Sequence, residues 1–212
     1  HLLSRRQRQM CIRDRMKKVK EEGTEVSKVI KYCKDNMCIK IKEQELENVA
    51  ALKVAMKTLA EKYGCNAIAI QCWNALQDEI GIMPCAANSL LNEEGIPVVC
   101  ETDIHGAITA VMAEAAGMDE TRTFFADWTV RHPDNENGEL LQHCGPWPVS
   151  VAKEKPTIGY PLAFNYPGAV EAEAKHGDMT LCRFDGDNGE YSLLLGHAKG
   201  VEGPYTKGTY VW

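Results

Sequence analysis

The chain has 212 residues, 44% hydrophobic and 25% charged, which suits one large or two small domains of an ordinary soluble protein. A net charge of −6 argues against a nucleic-acid partner, and no apolar run has the length of a bilayer-spanning helix or the form of a signal peptide. Nine cysteines, an odd number with no C-x-x-C pair, fit a reducing cytoplasm better than a disulfide framework.

Residues 1–15 hold five arginines, one acid and no periodic apolar face. The run RQRQMCIRDR resembles translated sequencing-adaptor sequence, so residues 1–15 read as a non-native tail and the chain as a fragment. From Met16 to Lys42, the spacing of Val26, Val29, Ile30 and Cys33 predicts one helical face. Val49, Leu52, Met56, Leu59 and Tyr63 form a second stripe, and Gly64 supplies its stop. Asn66 to Cys72 is a near-continuous apolar run, the pattern of a parallel strand covered on both faces. Pro84 precedes a short helix from Cys85 to Glu94, Ile96 to Cys100 is the next strand, and Ile104 to Ala116 the next helix. This order predicts a doubly wound parallel α/β unit. No Gly-rich phosphate loop opens any of its helices, so a nucleotide is not indicated. Past Gly117 the pattern changes to short β-branched and aromatic runs broken by Gly and Pro, with Asp187-Asn188-Gly189 marking a hairpin. This half is expected to be an antiparallel β barrel or sandwich, with the boundary near residue 118.

Ligands of open α/β sheets bind where a strand hands over to a helix. Gln71 and Trp73 sit at one such end, and Glu101 and Asp103, one residue apart in Val98-Val99-Cys100-Glu101-Thr102-Asp103-Ile104-His105-Gly106-Ala107, at another. Asp103 alone is equally well read as a helix N-cap, but capping does not explain Glu101. His105 is close enough in sequence to touch the same pocket. From the β-rich half come Asp127, inside the aromatic run Phe124-Phe125-Ala126-Asp127-Trp128, and His143 before a Cys-Gly-Pro turn. A carboxylate buried there needs a partner, either a metal or Arg122 or Arg131. His143 is read equally as a core histidine bonded to backbone. Carboxylates and an imidazole together suit a borderline-hard divalent ion such as Mn²⁺, while Cys144 keeps zinc open.

Five segments in order over about 80 residues carry a resemblance. Cys72-Trp73, Gly81-Ile82-Met83-Pro84-Cys85, Gly95 to Ala107, Phe124 to Asp127 and His143 to Pro148 are together similar to the L-fucose isomerase and L-arabinose isomerase group. The resemblance implies a partial Rossmann-like domain over residues 16–117, a truncated β-rich domain over 118–212 and a Mn²⁺ site between them. It places Glu101 as metal ligand and acid/base, and Asp103 and His143 as metal ligands; Gln71, Trp73 and His105 are expected near the sugar from their place at the strand ends. The group's second catalytic glutamate falls on Ala126, which leaves Asp127 (shifted by one) or Glu79 for that role. The group's last metal histidine has no counterpart before Trp212.

The implied reaction is aldose–ketose isomerisation of a monosaccharide through an enediol, by a cytoplasmic homo-oligomer when full length, with little activity expected of this piece. The rival readings are a sugar-binding module without turnover and another metal-dependent sugar enzyme of aldolase type.

Overall fold

The computed structural model describes residues 5–118, 120–162 and 165–212, with side chains from Ile12 onward. Residues 1–4 of the predicted tail lie outside the described residues. The rest of that tail is helical: α1 (Arg5–Glu22) sets Ile12, Met16 and Val19 against the core. It is followed by α2 (Thr24–Asn36), β1 (Cys38–Ile39) and α3 (Glu43–Tyr63). α3 buries Leu46, Val49, Leu52 and Met56 beneath α1, α2 and α5 (Cys85–Glu93). Gly64 ends it in the left-handed conformation at φ 62°, where a side chain would be strained. Tyr63, the last member of the expected stripe, is exposed at the helix end.

β2 (Ile68–Ala69) pairs in parallel with β3 (Val98–Val99), and between them lie α4 (Ala75–Ile80) and α5. α6 (Ile104–Ala116) completes the α/β order expected from the periodicity. No helix among the described residues is long and apolar enough to cross a membrane.

The second half is not the expected antiparallel barrel or sandwich. β4 (Asp127–Arg131), β5 (Glu139–His143), a 3-10 turn at Val149–Val151, β6 (Thr157–Gly159), β7 (Ala169–Glu173) and β10 (Thr209–Val211) belong to an open mixed sheet of order β1-β6-β7-β10-β5-β4. β1–β6 and β7–β10 run parallel and the other pairs antiparallel. β1 and β4 form its two edges and do not meet, so nothing closes. The physical reason lies in the two longest strands, β8 (Asp178–Asp187) and β9 (Glu190–Lys199). Among the described residues they pair only with each other, around a turn with Asn188 and Gly189 both at positive φ. This hairpin leaves the sheet to lie on α6, where the Phe184 N–H donates to Thr109 Oγ1 at 2.9 Å. β1, contributed from before residue 118, takes an edge of the sheet instead. Alternation marks strands but not their partners.

The main core gathers residues of α1 to α5 together with Ile158 of β6 and Val170 of β7. α5 is its pivot, since Cys85 to Asn92 are all buried. Three of those side chains are polar and must be paired. Asn92 donates through Nδ2 to the Pro146 carbonyl (2.6 Å) and accepts the Val98 N–H on Oδ1 (2.5 Å). Ser89 donates to the Trp147 carbonyl. Asn88 donates to Cys100 Sγ at 3.7 Å, and its Oδ1 has no partner among the described residues. On the other flank the Met83 and Ala86 N–H groups donate to the Pro167 and Gly168 carbonyls, at 2.6 and 2.8 Å. Hydrogen bonds from one short helix thus tie β3, the segment after β5 and the start of β7 into one body. Replacing Asn92 by Leu strands a buried N–H and a buried carbonyl, and should lower unfolding free energy by about 3 kcal/mol. Urea denaturation of N92L beside the exposed control K31A, expected within about 0.5 kcal/mol of the parent, checks this.

Candidate functional site

The ends of β2, β3 and β5 converge with the start of β4 on a cavity of about 200 Å³. Its wall includes Cys72, Trp73, Cys85, Glu101, Asp127, His143 and Cys144, together with Tyr160 and Leu162. Five of the side chains singled out from sequence therefore meet there: Trp73, Glu101, Asp127, His143 and Cys144.

Glu101 follows β3 on a turn that local sequence does not favour. Both Glu101 and Thr102 have φ of 61°, in the left-handed region that β-branched threonine resists most. The turn is held by the Thr102 N–H donating to the Ile70 carbonyl (3.0 Å) and the Asp103 N–H donating to that of Cys100 (3.1 Å). It points the Glu101 carboxylate across the cavity mouth, where Oε1 accepts the Trp73 indole N–H at 3.2 Å and stands 3.9 Å from His143 Nε2.

His143 is 6% exposed, with Phe125 edge-on at a centroid distance of 5.3 Å and Cys144 Sγ 3.8 Å from Nδ1. Burial alone pulls its proton affinity down, but Cys144, Asp127 and Glu101 together outweigh burial and leave the pKa raised. Asp127 lies at the exposed rim of the cavity rather than buried in an aromatic strand as the sequence suggested. Protein around the rim still desolvates its carboxyl enough to raise the pKa, with Glu101 adding to the shift and His143 opposing it. Ala126, where the resemblance expects a glutamate, packs into the cluster around Trp147, and its neighbour Asp127 lines the cavity.

The remaining predicted residues are placed elsewhere. Asp103 caps α6, accepting the Gly106 N–H at 2.9 Å, and its other oxygen pairs with Arg183 of β8. Burial raises its pKa, but the Arg183 guanidinium and that N–H more than offset it, so the carboxyl sits below its ordinary value. His105 is 3.0 Å from the Asp185 carboxylate and edge-on to Phe184, joined to the hairpin. Gln71 is exposed and does not line the cavity. Glu79 pairs with Arg13, Arg131 with Glu139, and Arg122 lies 3.8 Å from Glu114.

Sequence reasoning missed Gln142, Glu171 and Lys207, which also line the cavity. Glu171 accepts from Lys207 and from the Tyr205 hydroxyl, the latter at 2.5 Å. They are brought there by the β7-β10-β5 order, for which local pattern holds no signal. It singled out Cys144 as a possible zinc donor but missed its contact with Cys85. Cys85 and Cys144 Sγ are 3.4 Å apart, and of the two Cys144 has the lowered pKa, from its contacts with Cys85 and His143 against the cost of burial.

Glu101 and His143, 3.9 Å apart, offer a carboxylate and an imidazole, the donor types a borderline-hard divalent ion takes. Among the described residues a three-donor cluster lies elsewhere, at Glu173, His176 and Glu202, whose ligand atoms are within 4.8 Å of one another. From sequence, His176 reads as surface. That cluster could hold a metal, but the Lys153 ammonium, 3.3 Å from Glu173 and 3.2 Å from Glu202, already supplies positive charge there.

No family model matches the chain. It is similar to curated proteins named sulfoquinovose isomerase. Those of Priestia aryabhattai and Priestia megaterium are each 27% identical over 169 residues, 77% of this chain and 37% of the relative. That of Alkalicoccus urumqiensis is 27% identical over 164 residues, 75% and 36%. The chain thus spans about a third of the length of the curated relatives it matches. The similarity supports a distant sugar-isomerase relationship, and the relatives' name is neither fucose nor arabinose isomerase.

A histidine whose folded pKa is raised contributes stability that is fully present below its unfolded value, about 6.5, and lost as pH rises through the folded value. NMR titration of His143 should therefore give a midpoint above 6.5, falling in the E101Q variant. A midpoint at or below 6.5 contradicts the assigned surroundings.

Proposed function

We propose that this chain carries part of the active site of a metal-dependent aldose–ketose isomerase, moving a proton between C1 and C2 of a monosaccharide through an enediol. The observation that carries the reading is the Glu101 carboxylate held over a small cavity, hydrogen-bonded to Trp73 and facing buried His143. The similarity to sulfoquinovose isomerases supports the same reaction class. At about 200 Å³ the cavity is small beside the roughly 300–1,000 Å³ of drug-sized sites, which favours a ligand no larger than a monosaccharide.

Glu101 is the proton carrier between the two carbons. The left-handed turn aims its carboxylate, and the Trp73 N–H fixes which oxygen faces the substrate. Asp127, with its pKa raised at the rim, retains a proton longer than an ordinary aspartate and so serves as the partner acid. Trp73, 44% exposed at the mouth, offers an apolar face to a sugar ring. Glu101 and His143 would hold the divalent ion, with Mn²⁺ the metal proposed; when bound, such an ion polarises the substrate carbonyl. Asp103 has no part in this reading, because capping and Arg183 occupy both its oxygens.

Protein expressed from the complete reading frame, supplied with Mn²⁺ and offered fucose, arabinose and sulfoquinovose, should convert at least one of them to its ketose. E101Q should lower turnover about 10²- to 10⁴-fold with little change in sugar affinity. Sugar binding with no ketose from any of them would favour a binding module and overturn the isomerase reading.

A further inference from the structure

Two thiols at the foot of the cavity have no part in the sugar chemistry. Cys85 opens α5 and is 1% exposed, while Cys144 follows β5 and is half-buried. Their sulfurs are in non-bonded contact at 3.4 Å, and a disulfide requires about 2.05 Å. The backbone around them is already close. A Cβ built on Gly145 would come within 2.7 Å of Cys85 Cα, so only glycine lets the two segments meet this tightly. The bonds from Ser89 and Asn92 to the Trp147 and Pro146 carbonyls hold α5 against that same segment. Both cysteines also line the cavity, which opens to solvent past Asp127 and Trp73.

We propose that Cys85 and Cys144 are a reversible dithiol–disulfide pair, oxidised by a small peroxide entering the cavity, that covalently ties α5 to the end of β5 beside His143. Cys144, the more exposed, gives its proton to water and attacks one peroxide oxygen. The O–O bond breaks, hydroxide leaves and is protonated, and Cys144 becomes a sulfenic acid. The Cys85 sulfur then attacks the Cys144 sulfur. The S–S bond forms, the S–O bond breaks, and the departing hydroxide leaves as water with the Cys85 proton. In sum two thiols lose two electrons and two protons, and hydrogen peroxide becomes two waters. A small thiol reverses the bond by exchange. A reducing cytoplasm makes such a bond transient rather than structural. While it lasts, the sulfur 3.8 Å from His143 Nδ1 has no proton to exchange with the imidazole.

The 212-residue chain is treated with a small excess of hydrogen peroxide, its remaining thiols are alkylated, and the digest is mapped by mass spectrometry. The expected main linked peptide joins Cys85 to Cys144, disappears with dithiothreitol, and accompanies a rise in Tm. C144S should abolish both the link and the rise, whereas C38S, at an exposed position, should change neither. A main link between Cys72 and Cys100, or Cys144 oxidised to sulfinic acid with Cys85 still open to alkylation, overturns the proposal. So does the absence of any link. The mapping of the parent chain decides the matter even where a variant fails to fold.

Discussion

The Asn92 side chain spends both ends of its amide joining parts of the chain that share no strand pairing. One end fixes the start of β3, and the other the carbonyl of Pro146 just beyond β5. Glu101 leaves the far end of β3 and His143 closes β5, so this single buried amide helps set the distance between the carboxylate and the imidazole. Neutral hydrogen bonds in a dry interior tolerate little misalignment, because an unmade one costs more than a made one contributes. That asymmetry gives the cavity rigid walls although β2 and β3 have only two residues each. Ser89 and the backbone donors of Met83 and Ala86 repeat the device on neighbouring turns.

Within that frame the electrostatics run in one direction. Glu101, Asp127 and the lowered thiol of Cys144 surround one buried imidazole, and each favours its protonated form. The proton affinity of His143 is thereby raised despite its burial. Lys207, the lysine among the lining residues, is drawn aside by Glu171. The charge distribution suits chemistry that moves protons among oxygen and nitrogen donors, and it gives any divalent ion a carboxylate-rich approach.

What could be read from sequence was whatever depends on near neighbours. The stripe of α3, the stop at Gly64, the Asn188-Gly189 turn and the strand-to-helix handover at Glu101 all follow from local periodicity or a demand for positive φ. Asp103 shows the limit. Capping and metal binding ask for the same residue at the same place, and only the arrival of Arg183 from a hairpin 80 residues on shows how its second oxygen is occupied. Asp127 was legible as a residue of interest for the wrong reason, since aromatic neighbours suggested burial, whereas β4 is an edge strand whose five residues are all exposed. The mixed sheet, the Cys85–Cys144 contact and the placing of Glu171 and Lys207 arise from pairings between distant strands, and alternation is silent on those.

The edge pairing of β1 with β6 bears on how the chain reaches this state. β1 is made well before its partner, since the strand that receives it follows about 120 residues later. Ile158 and Val170, which complete the core under α3 and α5, come from that late region too. The two hairpins, β4–β5 and β8–β9, close over short loops and can form quickly, whereas the parallel β1–β6 and β7–β10 pairs must wait on distant segments. During synthesis the helical layer therefore emerges with an unsealed apolar floor. Its lifetime in that condition is set by the rate of translation rather than by its own helix propensity.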